Sequence, residues 1–466
     1  MPDPAACAAI HAGTSNLNRE ITVMLARSEQ SSAEPAGTGR IVAASVIGTT
    51  IEFYDFFIYG TAAALVLGQQ FFPRSASATQ SLAAFATFGI AFFARPLGSF
   101  LFGHFGDRFG RKSTLVVSLL TMGLSTTLIG LLPGFADIGW MAPILLCILR
   151  LGQGIGLGGE WGGAALLATE NAPAGREAWF GMFPQLGPSL GFLLANGFFL
   201  LLFLLLSDAQ FAAWGWRIPF LASAVLVMVG LYVRLRISET PAFKKLLAQG
   251  EQLRLPVGKL LRRHSKELIQ GSLAMVASYA TFSMAAVFAL DYGTRINHIP
   301  RGRFLELLCV ATVAAAITTL ISAAVADRFG CRRMLLAGMA LCVAAGFALS
   351  PLLGAGDAGS ALLFLVMDLG IMGLLFAPMG AMLSGLFPVD VRYTGASAAY
   401  NLGGILGASA LPYAAQLLLI HGGLPWVGFY LTGAGLLSFL AVLFTRDLPA
   451  KPSLAAQDEP SMPAIR

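Results

Sequence analysis

Gly103-His104-Phe105-Gly106-Asp107-Arg108-Phe109-Gly110-Arg111-Lys112 and Ala326-Asp327-Arg328-Phe329-Gly330-Cys331-Arg332-Arg333 are two versions of one short charged loop, their aspartates 220 positions apart. Each loop lies between long apolar runs. Two further matches keep nearly the same offset: Arg150-Leu151-Gly152 against Asp368-Leu369-Gly370 at 218, and Arg176 against Arg392 at 216. Three matches at one offset, close to half of a 466-residue chain, mark two parallel repeats.

Composition says what surrounds them. The chain is 56% hydrophobic and only 12% charged, with a mean hydropathy of +0.73. Soluble domains carry about a quarter charged residues, so lipid must solvate most of this chain. A helix needs about 20 apolar residues to cross a bilayer. Twelve such spans are expected at 41–67, 80–103, 113–133, 140–168, 178–206, 217–236, 268–291, 304–326, 334–353, 360–387, 394–420 and 425–445. Runs this long exclude a β-barrel, whose strands are short and alternating. The expected fold class is an all-α integral membrane protein, with twelve transmembrane helices in two six-helix pseudo-symmetric bundles. The bundles would take residues 40–236 and 267–446, joined by a cytoplasmic linker at 237–266. Residues 1–39 and 447–466 read as polar cytoplasmic tails, with Met24 an alternative start.

Basic residues orient the spans. With the N-terminus inside, 23 of the 30 Lys and Arg fall on the cytoplasmic side and five on the outer side (Arg74, Arg217, Arg295, Arg301, Arg303), while Arg95 and Arg150 lie within spans. Such an excess marks the cytoplasmic face. The net charge of +6 follows from this bias, and nucleic acid is not an expected partner. The five cysteines form no CxxC pair and the five histidines are scattered, so neither a metal site nor a disulfide framework is expected.

The duplicated D-R-x-G-R-[KR] loop is similar to the signature of the major facilitator superfamily. Further segments resemble its metabolite:proton symporter family, which includes shikimate, α-ketoglutarate, citrate and proline/betaine carriers. They are Gly48-Thr49-Thr50-Ile51-Glu52-Phe53-Tyr54-Asp55, Ala94-Arg95-Pro96-Leu97-Gly98, Arg150-Leu151-Gly152-Gln153-Gly154 on to Glu160-Trp161, Gly215-Trp216-Arg217 and Val391-Arg392-Tyr393-Thr394-Gly395. The resemblance covers about residues 40 to 446. It implies a monomeric carrier of the bacterial inner membrane, driven by the proton gradient without a cofactor, with both termini cytoplasmic. Proton-coupled export is the alternative, since Gly187-Pro188-Ser189-Leu190-Gly191 partly matches a drug-antiporter pattern. An enzyme is not expected, because no nucleotide loop or metal spacing occurs.

An ionisable side chain within a span is costly and by default functional. At about 1.5 Å per residue, Glu52 lies about 16 Å above the start of span 1, Asp55 about 21 Å and Arg95 about 12 Å above the end of span 2. Glu52 and Asp55 share a helix face. The expectation is an Arg95–Glu52 ion pair that leaves Asp55 as the proton carrier; a fixed structural cluster is the competing reading. Arg150, near mid-span, is expected to bind a substrate anion or take part in coupling; the competing reading is a permanent gate, made either with its repeat counterpart Asp368 or with backbone. Tyr54, Gln153, Gln185, Asn196, Tyr279, Tyr400 and Asn401 are the polar residues expected to line the same cavity. Asp107, Arg108, Gly110, Arg111, Asp327 and Arg328, facing Glu160 and Glu239, form the expected cytoplasmic gate. The alternative for these loop charges is a purely topogenic role.

Overall fold

A computed structural model of the chain describes residues 38–73, 77–109, 111–158, 165, 168–169, 172, 175–235, 257–388 and 391–445. Most of the expected linker and all of the expected tails except Thr38 and Gly39, which begin the first helix, lie outside them. The described residues from Ser45 onward form one compact unit.

Twelve long helices run through the described residues. In the first half these are α1 (Thr38–Ala62, continuing through a π-turn Ala63–Leu67 to Phe71), α2 (Ser77–Phe109), α3 (Arg111–Leu131), α4 (Met141–Gly158), α5 (Glu177–Leu205) and α6 (Ile218–Leu235). In the second half they are α7 (Ser265–Ser283, through a π-turn Met284–Ala289 to Arg295), α8 (Arg301–Phe329), α9 (Cys331–Leu353), α10 (Ala358–Leu386), α11 (Arg392–Gly404, through a π-turn Ile405–Ser409 to Gly422) and α12 (Leu424–Leu443). Eleven are long and apolar enough to cross a membrane, and α3 adds the shorter apolar stretch Val116–Leu131. Large apolar side chains stand on the outside, among them Phe93, Leu124, Leu204 and Phe347 at 61–73% exposure. A soluble monomer does not expose apolar surface on this scale, so this is the face that meets lipid.

Packing repeats with the sequence. In the first half α2 packs on α4, α4 on α3 and α3 on α6; in the second, α8 packs on α10, α10 on α9 and α9 on α12. The seam between halves is α5 against α8 and α10, and α11 against α2. α1 and α7 run innermost: their most apolar windows are 100% and 94% buried, against at most 67% elsewhere. Their π-turns begin 221 residues apart, at the repeat offset.

Glycine sets how closely α2 and α4 approach. A Cβ on Gly98 would strike the Ile155 carbonyl, one on Gly154 the Ala91 carbonyl and one on Gly158 the Arg95 carbonyl. Small residues at this spacing let two backbones touch, which brings the carbonyls of α2 within reach of side chains on α4. In the second charged loop, Gly330 ends α8 at φ 95°, a conformation that other residues adopt at a cost.

Candidate functional site

Two buried arginines anchor two different places. Arg150 of α4 is enclosed by its own half. Its Nε donates to the Thr87 carbonyl at 3.3 Å, its Nη2 to the Phe88 carbonyl at 2.9 Å and its Nη1 to Gln153 Oε1. The guanidinium also lies 3.7 Å from the centre of the Tyr59 ring, and the Tyr59 hydroxyl is 2.6 Å from Thr87 Oγ1. Gln153 Nε2 continues the network to the Asp55 carbonyl at 2.7 Å and to Thr126 Oγ1 at 2.9 Å. The Asp55 carboxylate sits beside this network, fully buried and with neither oxygen hydrogen-bonded. The Ser223 hydroxyl, likewise without a hydrogen bond, and Glu52 lie near it.

Arg95 of α2 turns the other way, to the seam. Its guanidinium lies between the rings of Phe56 and Phe92, 4.4 and 4.2 Å from their centres. Neither Nε nor Nη2 has a hydrogen-bond partner, although the side chain is only 1% exposed. Together with Phe57, Tyr279, Phe282 and Phe376 it bounds a central space of about 10 Å³ between the halves. The Phe57 and Phe282 rings meet across the seam at 4.8 Å, and Tyr279 lies 6.0 Å from Phe92 and 5.2 Å from Tyr400.

This corrects one expectation and one of the competing readings. Among the described residues Arg95 and Glu52 form no ion pair, because Phe56, one turn beyond Glu52 on the same face of α1, occupies the space and directs the guanidinium to the seam. Glu52 is buried and engaged, and it acts on Asp55 and Tyr400. Arg150 and Asp368 do not meet either: the backbone of α2 holds Arg150, while Asp368 is buried in the second half near Cys342 with both oxygens unbonded.

The expected polar lining divides similarly. The Tyr54 hydroxyl donates to the Pro219 carbonyl at 3.0 Å, and Asn196 accepts from Thr61 at 2.9 Å and donates to the Phe192 carbonyl at 3.0 Å. With Gln153, both are tied inside the first half. Gln185 faces Gly380 of α10 across the seam. Asn401 joins the halves, its Nδ2 donating to Ser99 Oγ of α2 at 2.8 Å and to the Gly158 carbonyl of α4 at 3.4 Å. The central aromatic residues Phe56, Phe57, Phe92, Phe282 and Phe376 were not among the expected site residues. Their signal was the aromatic run interleaved with the buried acids of span 1, Phe53-Tyr54-Asp55-Phe56-Phe57.

Of the expected gate, Gly110, Glu160, Glu239 and the side chains of Asp107, Arg108 and Arg111 lie outside the described residues. Asp327 does join the halves, without an ion pair among the described residues. Its oxygens accept from the backbone amides of Ala178 at 2.9 Å and Trp179 at 3.0 Å, in the first turn of α5. Those amides are unused within the helix, and the helix dipole favours a negative charge there. Arg328 is exposed, stacked against Phe329.

Two pseudo-symmetric helical bundles in lipid, meeting over a buried polar centre, define a membrane transporter of small molecules and not an enzyme. Comparison with known proteins agrees. The family model "Sugar (and other) transporter" matches residues 41–279, and "Major Facilitator Superfamily" matches residues 272–465. The inner membrane metabolite transport protein YhjE of Escherichia coli K12 is 49% identical over 88% of this chain and 94% of its own. The shikimate transporter of the same organism is 36% identical over 91% and 98%. The solved D-xylose-proton symporter superposes with a TM-score of 0.68 over 88% of this chain and 98% of its own, at 19% identity. The chain belongs to the major facilitator superfamily, among its bacterial metabolite transporters.

Proposed function

We propose that the protein takes up a small organic anion together with protons across the bacterial inner membrane, by alternating access as a monomer with both termini in the cytoplasm. The observation that carries this reading is Arg95: a guanidinium enclosed at the seam, faced by rings, with two nitrogens left without acceptors. A buried donor without a partner is costly, and a carboxylate placed there supplies the acceptors in the paired geometry that arginine favours. The rings suit the apolar body of such a molecule. They suit a quaternary ammonium poorly, because Arg95 already occupies the ring faces that would hold it. The shikimate transporter, whose named substrate is a ring carboxylate, supports the anion; a proline/betaine transporter of Escherichia coli K12, 29% identical over 90% of the chain, supports a zwitterion.

Asp55 is the proton carrier in this reading. Its carboxylate is buried and has no hydrogen bond, while its backbone carbonyl accepts from Gln153, the same side chain that accepts from Arg150. Glu52, near both Asp55 and Tyr400, couples it to the seam. Asp327 and Asn401 close the cytoplasmic end while the opposite end opens. A thermal-shift screen of the purified protein against organic acids and betaines tests the substrate class, followed by uptake of any stabilising compound into proteoliposomes with and without a pH gradient. Acids are expected to stabilise, and Asp55→Asn is expected to abolish gradient-driven accumulation while exchange persists. Stabilisation by betaines alone, or accumulation unchanged in Asp55→Asn, contradicts the reading.

A further inference from the structure

The seam holds a second and larger cavity, about 140 Å³, at the end away from Asp327. It lies where α1 and α7 finish and α2 and α8 begin, against the π-turn of α1, with Gln69, Gln80, Thr294, Arg295 and Arg301 as its polar walls. Its two arginines are employed differently. Arg295 donates from Nε and Nη2 to Asp291 at 2.6 and 2.5 Å, and Asp291 is 1% exposed, so that charge is cancelled. Arg301 has no hydrogen bond or ion pair among the described residues. Thr294 is spent on the Leu290 carbonyl and Gln80 on the Pro73 carbonyl. The cavity is thus polar, has room for several waters, and holds one uncompensated positive charge.

We propose that this cavity is an outer capture site for the carboxylate of a soluble organic anion, with Arg301 as the recognising cation, from which the anion moves down the seam to Arg95. Asp291 serves by holding Arg295 out of the contact, so that one cation binds and release remains easy. The proposal rests on the reading of the substrate as an anion. A lipid phosphate could offer Arg301 the same oxyanion chemistry, but the cavity is set between the halves and walled by polar side chains from four helices, which fits a soluble molecule.

Gln69 is exposed at the cavity wall, so Gln69→Cys provides a thiol there. Its reaction with the anionic sulfonatoethyl and cationic trimethylammonium-ethyl methanethiosulfonates would be followed in full-length protein in vesicles, against parent protein as the background. The anionic reagent is expected to react faster, relative to free cysteine. Adding Arg301→Gln should slow it about fivefold and speed the cationic one by a similar factor, the effect of a unit charge about 4 Å away in water-like surroundings; Arg301→Lys should preserve the preference. Benzoate should slow the anionic reagent more than chloride does at equal ionic strength, whether or not the vesicles contain phosphatidylglycerol. Equal rates in Arg301→Gln and its parent, no benzoate effect beyond chloride, or slowing by phosphatidylglycerol alone would overturn the capture site. Failure of the substrate reading looks different: Arg95→Gln then binds and transports like the parent whatever happens at the introduced thiol.

Discussion

Arg95 and Arg150 lie one helix apart, 1% and 0% exposed, and differ only in what their neighbours give them. α2 presents two carbonyls to Arg150, Gln153 presents a third acceptor, and Tyr59 covers its face. Arg95 receives two aromatic faces and leaves two nitrogens without acceptors. Both are deep in a span, so depth does not decide role. A guanidinium that the protein satisfies is fixed in place, and one that it leaves unsatisfied is held for a ligand or for another conformation. Buried polar groups are otherwise paired.

The largest expected effect sharpens that contrast. Arg95→Gln should weaken binding of a stabilising organic acid by about tenfold to hundredfold, since a hydrogen bond to a charged group contributes about 1.5–3 kcal/mol. The ligand-free melting temperature should hold or rise, because the variant relieves an unsatisfied charge. Arg150→Gln should do the reverse. It removes the guanidinium's bonds to the Thr87 and Phe88 carbonyls and leaves the buried Gln153 Oε1 without its donor, at about 1–3 kcal/mol for a buried unsatisfied group, so the melting temperature should fall clearly before affinity is considered.

Smaller effects belong to the contacts that close the seam. Asp327→Asn removes the charge from two amide contacts in the first turn of α5. Helix-end charges contribute about 0.3–1 kcal/mol when exposed and more when partly buried, so opening at that end should rise about threefold, read as alkylation of a cysteine placed at Gln185. Asn401→Ala loses the bond to Ser99 and the longer one to the Gly158 carbonyl and, at about 1 kcal/mol for a neutral hydrogen bond, should raise the same reading by a similar factor. If neither variant changes accessibility, these contacts do not hold the seam closed.

The fold was legible because its cause is local. Each span is an uninterrupted apolar run, the basic residues cluster on alternate connections, and the charged loop recurs at the offset that the packing and the π-turns repeat. The centre was legible only as a set of costly residues: Glu52, Asp55, Arg95, Arg150 and Asp368 are all buried. Their partners could not be read, because pairing depends on how closely two helices approach. Gly98, Gly154 and Gly158 press α2 onto α4, which delivers backbone acceptors to Arg150, and Phe56 screens Arg95 from Glu52. No spacing of charges along the chain contains either fact. Asp327 shows the same gap. Its loop motif marks it from sequence, yet its partners are two backbone amides that no pattern of side chains announces.

Titration calorimetry of one organic acid from the thermal-shift screen, against Arg95→Gln and Arg150→Lys side by side, tests the central claim most directly. The account requires binding to collapse in Arg95→Gln and to persist in Arg150→Lys, which keeps a positive charge among the α2 carbonyls. Full affinity in Arg95→Gln, with loss in a well-folded Arg150→Lys, would return anion recognition to α4 and contradict it.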